Sequence, residues 1–308
     1  MEVDEIGTMV TGSWVLSIQP SLVWGSSGSS LTAFILQVHG FDVSTINSVQ
    51  FSNHTGYGKF KGQVLNDQDV TDLYEGLKVN NLLQFSHILT GYIGSKSFLE
   101  KVKEIIQELR SHNPSLIYVC DPVMGDNGKM YVPENLLDVY RESIVPLADI
   151  VTPNQFELEL LSGSKVTNES EALAAMEMLH NKGVKTVVLS SSSLGRDGVL
   201  ICLASSNRDG AKECYRIEIP LLPAIFVGTG DLFAASLMVW MQKDNSLKVA
   251  FEKTISTVQA VIRRTLDYAK KVAGENMKPT PAQMELRLVQ SKDDLENPEI
   301  LYTAELFS

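Results

Sequence analysis

Short apolar stretches alternate along this chain with longer stretches in which apolar residues recur every three or four positions. The short stretches have the length and the apolar character that are typical of β-strands. They predict strands at Trp14–Gln19, Val43–Val49, Ser86–Thr90, Leu116–Cys120, Ile150–Thr152, Thr186–Leu189 and Val199–Leu203.

The stretches between these strands show helical periodicity. In Ser97–His112 the apolar residues form one stripe, which consists of Phe98, Leu99, Val102, Ile105, Ile106 and Leu109. Glu171–Asn181, with Ser170 as its N-cap, and Lys248–Val272 follow the same pattern. Strands that alternate with helices predict an α/β fold with a central, mainly parallel β-sheet and helices on both faces, in three α/β/α layers.

Polar or glycine-containing segments follow several of the predicted strands. In open parallel sheets, ligands bind beyond the carboxyl ends of the strands. The segments that meet this condition are Asp121, Thr152–Glu157, Ser190–Ser191 and Gly228–Asp231. We therefore expect a site to lie at this edge of the sheet.

The segment Val227-Gly228-Thr229-Gly230-Asp231 precedes a predicted helix at Leu232–Met241. Its glycines let backbone N–H groups turn towards one point, and the helix start adds unpaired N–H groups with a partial positive charge. This combination predicts an anion hole for a transferred phosphate. A helix cap with a turn remains the alternative.

Two further segments carry acidic residues at strand ends. One is Cys120-Asp121-Pro122-Val123-Met124-Gly125-Asp126, in which the Asp121 carboxylate is a suitable ligand for a hard cation near phosphates. A purely structural Asp-Pro turn would give the same sequence pattern. In Thr152-Pro153-Asn154-Gln155-Phe156-Glu157, proline favours a helix start with Thr152 as a cap-like residue. Alone, that segment is structural.

Composition and missing motifs narrow the function classes. The net charge of -11 disfavours nucleic acid as a partner, and no apolar stretch is long enough to span a bilayer. With no secretion signal at the start, we expect a soluble, cytoplasmic protein: a loose tail over residues 1–13 and one domain over 14–308. The segment Gly25–Ser30 looks flexible. There is no P-loop, protein-kinase signature or dinucleotide fingerprint.

Several blocks of the chain closely resemble the pyridoxal kinase family of ribokinase-like kinases. They are NSVQFSNHTGY from Asn47, LTGY from Leu89, CDPVMGD from Cys120, TPNQFE from Thr152, FVGTGDLFAA from Phe226 and VQSKDDLENPE from Val289. The resemblance runs from about Gly40 to Ile300, with VLSIQ at Val15 in addition. It implies a ribokinase-like fold, a homodimer, and phosphorylation of the 5′-hydroxymethyl group of pyridoxal, pyridoxine or pyridoxamine by ATP.

The resemblance also implies a role for each matching residue. Asp231 would be the general base, with Gly228, Thr229 and Gly230 as the anion hole. The cations, Mg²⁺ or Zn²⁺ and K⁺ or Na⁺, would lie at Asp121, Thr152, Glu157 and Ser190. ATP would contact Asp126, Ser190, Ser191, Asn154, Thr229 and Tyr131. The vitamin would contact Thr55, His54, Tyr92, Gly230 and Asp231, and Ser190 stands where the family usually has threonine.

Two segments depart from the family pattern. After VLSIQ the family continues with Ser-His and an Arg-Gly-Tyr-Val-Gly-Asn stretch, whereas this chain has Pro20–Ser30 with only Gly25 and Gly28 matching. Pro20 replaces a serine whose hydroxyl would contact the pyridine ring. The loop Asp126–Tyr131 is shorter than is usual in the family. These departures leave open a kinase of another hydroxymethyl heterocycle, such as hydroxymethylpyrimidine, or a non-catalytic vitamin or nucleotide binder.

Overall fold

The computed structural model describes residues 13–208, 210–274 and 277–307. Its helices are α1 Ser29–Val38, α2 Asp67–Val79, α3 Lys96–His112, α4 Leu137–Val139, α5 Gln155–Ser162, α6 Glu169–His180, α7 Thr229–Asp244, α8 Leu247–Ala273 and α9 Lys292–Glu296. Its strands are β1 Trp14–Leu22, β2 Asp42–Phe51, β3 Gly62–Val64, β4 His87–Thr90, β5 Ile117–Cys120, β6 Gly125–Asp126, β7 Lys129–Met130, β8 Ile150–Val151, β9 Thr186–Ser192, β10 Val199–Arg208, β11 Ala211–Pro220 and β12 Glu305–Leu306.

One ten-stranded sheet organises the described residues, in the order β12-β11-β10-β9-β8-β5-β4-β1-β2-β3. Its central strands, from β9 to β2, pair in parallel, and the outer strands pair antiparallel. The chain adds β2 on one side of β1 and then β4 on the other, so the topology switches direction between β1 and β4. Ligands of open α/β sheets bind beside such a switch point, at the carboxyl ends of the strands.

Two hydrophobic clusters cover the two faces of this sheet. Leu16 and Ile18 of β1 pack with residues of α2, α3, α5 and α6, whereas Val15 packs with α1, α7 and α8. Because side chains alternate between the faces of a strand, neighbouring residues of β1 enter different clusters. The predicted three-layer α/β/α architecture is confirmed.

The sequence pattern located most elements within a few residues. The stripe predicted for Ser97–His112 is confirmed, since the same apolar residues are the buried ones of α3. The N-cap predicted at Ser170 is wrong: Asn168 caps α6 by accepting a hydrogen bond from Glu171 N. Asn and Ser are comparable caps, so the pattern alone does not choose between neighbouring candidates.

The predicted flexible segment Gly25–Ser30 is instead held against the body of the protein. Ser27 and Ser29 are buried, and the Ser29 hydroxyl donates to Asn47 Oδ1 at 3.0 Å. A glycine- and serine-rich composition lowers the intrinsic order of a segment, and here hydrogen bonds to other elements override it. The predicted tail over residues 1–13 lies outside the described residues except for Ser13.

Candidate active site

Helix α7 begins beside Asp121, which follows β5, so its first turn lies at the carboxyl edge of the sheet. Its N-cap, Gly228, has a φ of 88°, a conformation that glycine adopts without strain. A Cβ at this position would lie 2.9 Å from the carbonyl oxygen of Ser26, so the loop before α1 packs directly on the glycine. The first N–H groups of α7 have no acceptor within the helix and can bind an anion.

Asp231 lies in the first turn of α7 and is 9% exposed. Its Oδ2 accepts a hydrogen bond from Gly28 N at 2.8 Å. Burial raises the pKa of Asp231 to about 6, and the Gly28 hydrogen bond acts in the opposite direction. A carboxylate with this pKa is mostly ionised at neutral pH and is a stronger base than a solvated aspartate.

Asp121 follows β5 and approaches the same helix start. Thr152 donates to Asp121 Oδ1 at 3.2 Å, while the buried Oδ2 has no hydrogen-bond partner and lies 3.3 Å from the position of a Cβ on Gly230. Burial raises the pKa of Asp121 well above its ordinary value, and the charges of Glu157 and Asp231 raise it further. A buried carboxylate oxygen without a partner is a fitting ligand for a hard cation.

Glu157 is tied into the backbone around it. Its Oε1 accepts from Met124 N at 2.9 Å, and its Oε2 accepts from Asn154 N at 3.0 Å. Burial raises the pKa of Glu157 to about 7, although these hydrogen bonds oppose the shift. The predicted cap at Thr152 is wrong, because Asn154 is the N-cap of α5 and forms a capping box with Glu157.

A groove of about 590 Å³ runs beside the start of α7. Of the residues predicted to contact ATP, Asp126, Ser190, Ser191 and Thr229 line it. Apolar residues of the segment between β11 and α7 and of α8 also line it: Leu222, Phe226, Val258 and Ile262. Polar residues next to the unpaired amides of a helix start, together with apolar residues, suit a nucleotide whose base lies on the apolar side.

Asn154 and Tyr131 do not line this groove. The Asn154 side chain instead accepts from Glu157 N at 2.9 Å and donates to Gly125 O at 2.8 Å, so it joins α5 to β6. Tyr131 is 55% exposed and lies just after the hairpin of β6 and β7. Their contact with ATP stays a prediction.

The shortened loop between Asp126 and Tyr131 forms a tight hairpin. Asn127 and Gly128, with φ values of 49° and 75°, connect β6 to β7. An Asn-Gly pair with positive φ at both positions is the favoured two-residue hairpin turn, because its twist matches that of the strands. The loop at the rim of the groove is therefore short and locally ordered by its own turn.

The segment predicted to contact the vitamin lies beside the anion hole. Thr55 starts a short 3₁₀ helix that ends at Tyr57, and a Cβ on Gly56 would lie 3.5 Å from Val227 Cγ2. His54 precedes this helix, and its Nδ1 accepts from Gly56 N at 3.1 Å. Tyr92 follows β4, where its carbonyl accepts from Ser48 Oγ at 2.5 Å. These residues surround the switch point of the sheet.

Pro20 occupies a bulge in β1. The pairing of β1 with β2 shifts register between Gln19 and Ser21, so Pro20 is not required to donate to the sheet. A Cβ on Gly28 would lie 2.0 Å from the Pro20 carbonyl oxygen. The substituted loop thus turns back on itself and brings Gly28 N to Asp231.

If the ring of the vitamin implied by the resemblance lies here, restoring serine at position 20 is expected to lower the KM for that vitamin by about two- to tenfold, the effect of one neutral hydrogen bond. The bulge accommodates a residue with or without an N–H, so the fold should be unaffected. Steady-state kinetics of Pro20→Ser would measure the change, with Pro298→Ser as a remote control. An unaltered KM would mean that position 20 does not contact the ring.

Sequence reasoning missed two residues of this site. The only sequence signal at Gly28 is its match to the family, and Glu285 belongs to no motif; both act through contacts with residues more than 200 positions away. Among the residues that the structure describes, no group of three or more His, Cys, Asp or Glu side chains is close enough to hold a metal ion. In the same residues, no helix is long and apolar enough to cross a membrane.

The fold and the site together define an ATP-dependent kinase of small molecules with a ribokinase-like architecture. A family model described as phosphomethylpyrimidine kinase matches residues 31–276. The chain is 54% identical to pyridoxal kinase of Sus scrofa over 96% of its length and 99% of that protein, and 50% identical to pyridoxal kinase of Arabidopsis thaliana over 96% and 94%.

Solved structures agree with this classification. The structure of pyridoxal kinase from Leishmania donovani in complex with ADP and pyridoxamine superimposes on this chain with a TM-score of 0.89 and 33% sequence identity. The match covers 96% of this chain and 100% of that one. The chain belongs to the pyridoxal kinase family.

Proposed function

We propose that this protein transfers the γ-phosphoryl group of ATP to the 5′-hydroxymethyl group of pyridoxal, and also of pyridoxine and pyridoxamine. Phosphoryl transfer depends mainly on positioning and on stabilising charge. The observation that carries the proposal is the buried Asp231 in the first turn of α7, within a helix start whose N–H groups can bind the transferred phosphate. The full-length likeness to pyridoxal kinases supplies the substrate.

In this proposal the side chain and the amides at the start of α7 have separate roles in the transfer. Asp231 accepts the proton of the substrate hydroxyl while the hydroxyl oxygen attacks the γ-phosphorus. The bond from that phosphorus to the β–γ bridging oxygen then breaks. The amides of Gly228, Thr229 and Gly230 hold the phosphoryl oxygens. The groove lined by Asp126, Ser190 and Ser191 binds the nucleotide, and ADP leaves from it.

We infer that Asp121 and Thr152 hold a cation next to the phosphates, with Glu157 and Ser190 close to it. The unpartnered Asp121 Oδ2 supports this inference. A Mg²⁺ ion, or Zn²⁺, would neutralise phosphate charge when bound, and K⁺ or Na⁺ would complete the site. Glu157 already accepts backbone hydrogen bonds with both oxygens, so it would act through water or through the position of Met124.

The variant Asp121→Asn is expected to raise the cation concentration that gives half-maximal rate by at least about tenfold, because a charged ligand is lost. Titrations of Mg²⁺ and of K⁺ at saturating ATP and pyridoxal would show which ion is affected. Asp138→Asn, an exposed change on α4, is the control. If both titration curves match those of the wild type, Asp121 does not bind a cation.

The direct test of the function is to incubate the purified protein with Mg-ATP, K⁺ and pyridoxal and to follow pyridoxal phosphate by its absorbance. We expect product only when every component is present. Hydroxymethylpyrimidine, offered in place of pyridoxal, tests the alternative that the family-model description suggests. Faster turnover of the pyrimidine, or no product from pyridoxal, would overturn the proposal.

Further properties follow from the resemblance or from the sheet. We infer one domain from residue 14 onward, since a single sheet includes both Trp14 and Leu306. A homodimer and a cytosolic location remain predictions. Size-exclusion chromatography with light scattering and microscopy of a tagged protein would test them.

A further inference from the structure

The Glu285 carboxylate joins segments that are far apart in the sequence. Its Oε2 accepts from Ser26 N at 3.0 Å, and its Oε1 accepts from Tyr57 OH at 2.7 Å. The same Oε1 lies 3.3 Å from His54 Nε2. Trp24 adds a further hydrogen bond by donating from Nε1 to Tyr57 OH at 3.0 Å. We call Trp24, Ser26, His54, Tyr57 and Glu285 the Glu285 cluster.

This cluster connects the two walls of the proposed vitamin site. Trp24 and Ser26 belong to the loop Pro20–Ser30, which departs from the family pattern, whereas His54 and Tyr57 flank Thr55. Glu285 lies on the segment between α8 and α9 and contacts both walls. The Glu285 side chain is 16% exposed and the His54 side chain 11%, so solvent screens these contacts only weakly.

The hydrogen bonds fix the tautomer of His54 and the ionisation of Glu285. His54 Nδ1 accepts from Gly56 N, so the ring proton belongs on Nε2, which points at Glu285. Burial alone would raise the pKa of Glu285, but the hydrogen bonds from His54, Tyr57 and Ser26 outweigh it and hold this pKa below its usual value. Glu285 is therefore ionised and accepts from three donors.

The loop depends on this acceptor because its own sequence gives it little order. Val23 N and Trp24 N donate to Phe51 O and Ser52 O, and further along the loop Ser26 N is bound by Glu285 and Gly28 N by Asp231. A Cβ on Gly25 would lie 2.7 Å from either Glu285 oxygen, so the loop backbone rests on the carboxylate. Removing the charge would loosen the loop around Gly25 and Ser26 together with the His54 side chain, while the bonds from Trp24 N and Gly28 N remain.

We propose that Glu285 is a positioning residue that sets the affinity for the pyridine substrate by holding His54 and the loop Pro20–Ser30 against each other. The proposal rests on the proposed function, since it assumes that the vitamin ring lies between these walls. Both nitrogens of His54 are engaged within the protein, so this side chain presents its ring to the substrate rather than a hydrogen bond. Trp24 is linked to Glu285 indirectly: its Nε1 donates to Tyr57 OH, which in turn donates to Glu285.

The test compares Glu285→Gln with Glu299→Gln, an exposed change beyond the end of α9. Gln keeps the shape and one acceptor oxygen but loses the charge. We expect Glu285→Gln to raise the KM for pyridoxal about tenfold, as for a lost hydrogen bond to a charged group, with kcat and the KM for ATP within about twofold. Glu299→Gln should match the wild type in all three.

A second variant separates positioning from folding. Tyr57→Phe removes one donor and keeps the aromatic ring, so it should raise the KM for pyridoxal by a smaller factor than Glu285→Gln does. When the two changes are combined, the KM should rise by less than the product of the two separate factors, because they disrupt the same cluster. Thermal melting of each variant records stability. The proposal is overturned if the KM for pyridoxal of Glu285→Gln stays within twofold of the wild-type value, or if the KM for ATP rises by the same factor as the KM for pyridoxal.

Equilibrium dialysis of labelled pyridoxal, with a non-hydrolysable ATP analogue present, keeps this inference separate from the proposed function. If the wild type binds pyridoxal without phosphorylating it, the function fails, and a tenfold weaker dissociation constant for Glu285→Gln still supports the role of Glu285. If the wild type neither binds nor phosphorylates pyridoxal, both proposals fail.

Discussion

Asp231→Asn is expected to lower kcat by about 10²- to 10⁴-fold, the usual contribution of a positioned general base. Asparagine has nearly the same shape and can still accept from Gly28 N, which the carboxylate binds at 2.8 Å. The loss should therefore come from the missing base and not from a displaced loop. Stopped-flow or steady-state assays at saturating substrates measure kcat.

The affinity for ATP should persist in this variant, because the groove and the first-turn amides of α7 are unaltered. Binding of a fluorescent ATP analogue would confirm it. Asp267→Asn, an exposed change on α8, serves as the control and should keep the full rate. Activity of Asp231→Asn within a few-fold of the wild type would contradict the assignment of Asp231 as the base.

Gly28→Ala is the variant with the second largest expected effect. Gly28 has a φ of 62°, and a Cβ there would lie 2.0 Å from the Pro20 carbonyl oxygen, so the backbone must move. That movement displaces the N–H which holds Asp231, and a misplacement on the order of 1 Å can cost about 100-fold in rate. We expect kcat to fall by about this factor.

A matched control separates the clash from backbone strain. Gly40 also has a positive φ, 87°, but nothing lies within 4 Å of a Cβ at this position. Gly40→Ala should cost about 1–2 kcal/mol of stability and leave kcat unchanged, because it meets only the penalty of a left-handed conformation. Equal kinetic behaviour of the two variants would show that Gly28 does not position the base.

Of the two segments that depart from the family pattern, Pro20–Ser30 lies on the proposed substrate side and Asp126–Tyr131 at the groove, and neither contains Asp231. The loop Pro20–Ser30 keeps its course through contacts with Asp231 and Glu285, although most of its side chains differ from the family. Both contacts use backbone N–H groups of the loop, which are present whatever the side chain. Backbone anchoring of this kind holds the loop in place independently of its side chains.

Three buried carboxylates, Asp121, Glu157 and Asp231, lie close enough to raise the pKa of Asp121. Like charges in a buried site cost free energy unless a cation or hydrogen bonds compensate them. Glu157 and Asp231 accept backbone N–H groups, whereas Asp121 Oδ2 has no partner. This difference favours Asp121 as the residue that takes the cation.

Local pattern in the sequence was enough for the central elements and for half of the site. The apolar stripe of α3, the central parallel strands and the helix start after Gly228 follow from spacing and glycine placement, which are properties of neighbouring residues. Strands β11 and β12 were not predicted. β11 is an outer strand, and its intermediate burial leaves no continuous apolar stretch.

The sequence by itself predicted the fold class, from the alternation of strands and helices along the whole chain, and its short motifs predicted an anion hole at Gly228–Asp231, with Asp231 as the base that the resemblance implies. Only the tertiary structure decided how the base is held and which residue joins the walls of the vitamin site. Gly28 reaches Asp231 across 203 positions, and Glu285 reaches Ser26 across 259. Every residue except proline has a backbone N–H, so residue identity does not indicate which of these groups binds a distant carboxylate. Such contacts can be identified only from the folded structure.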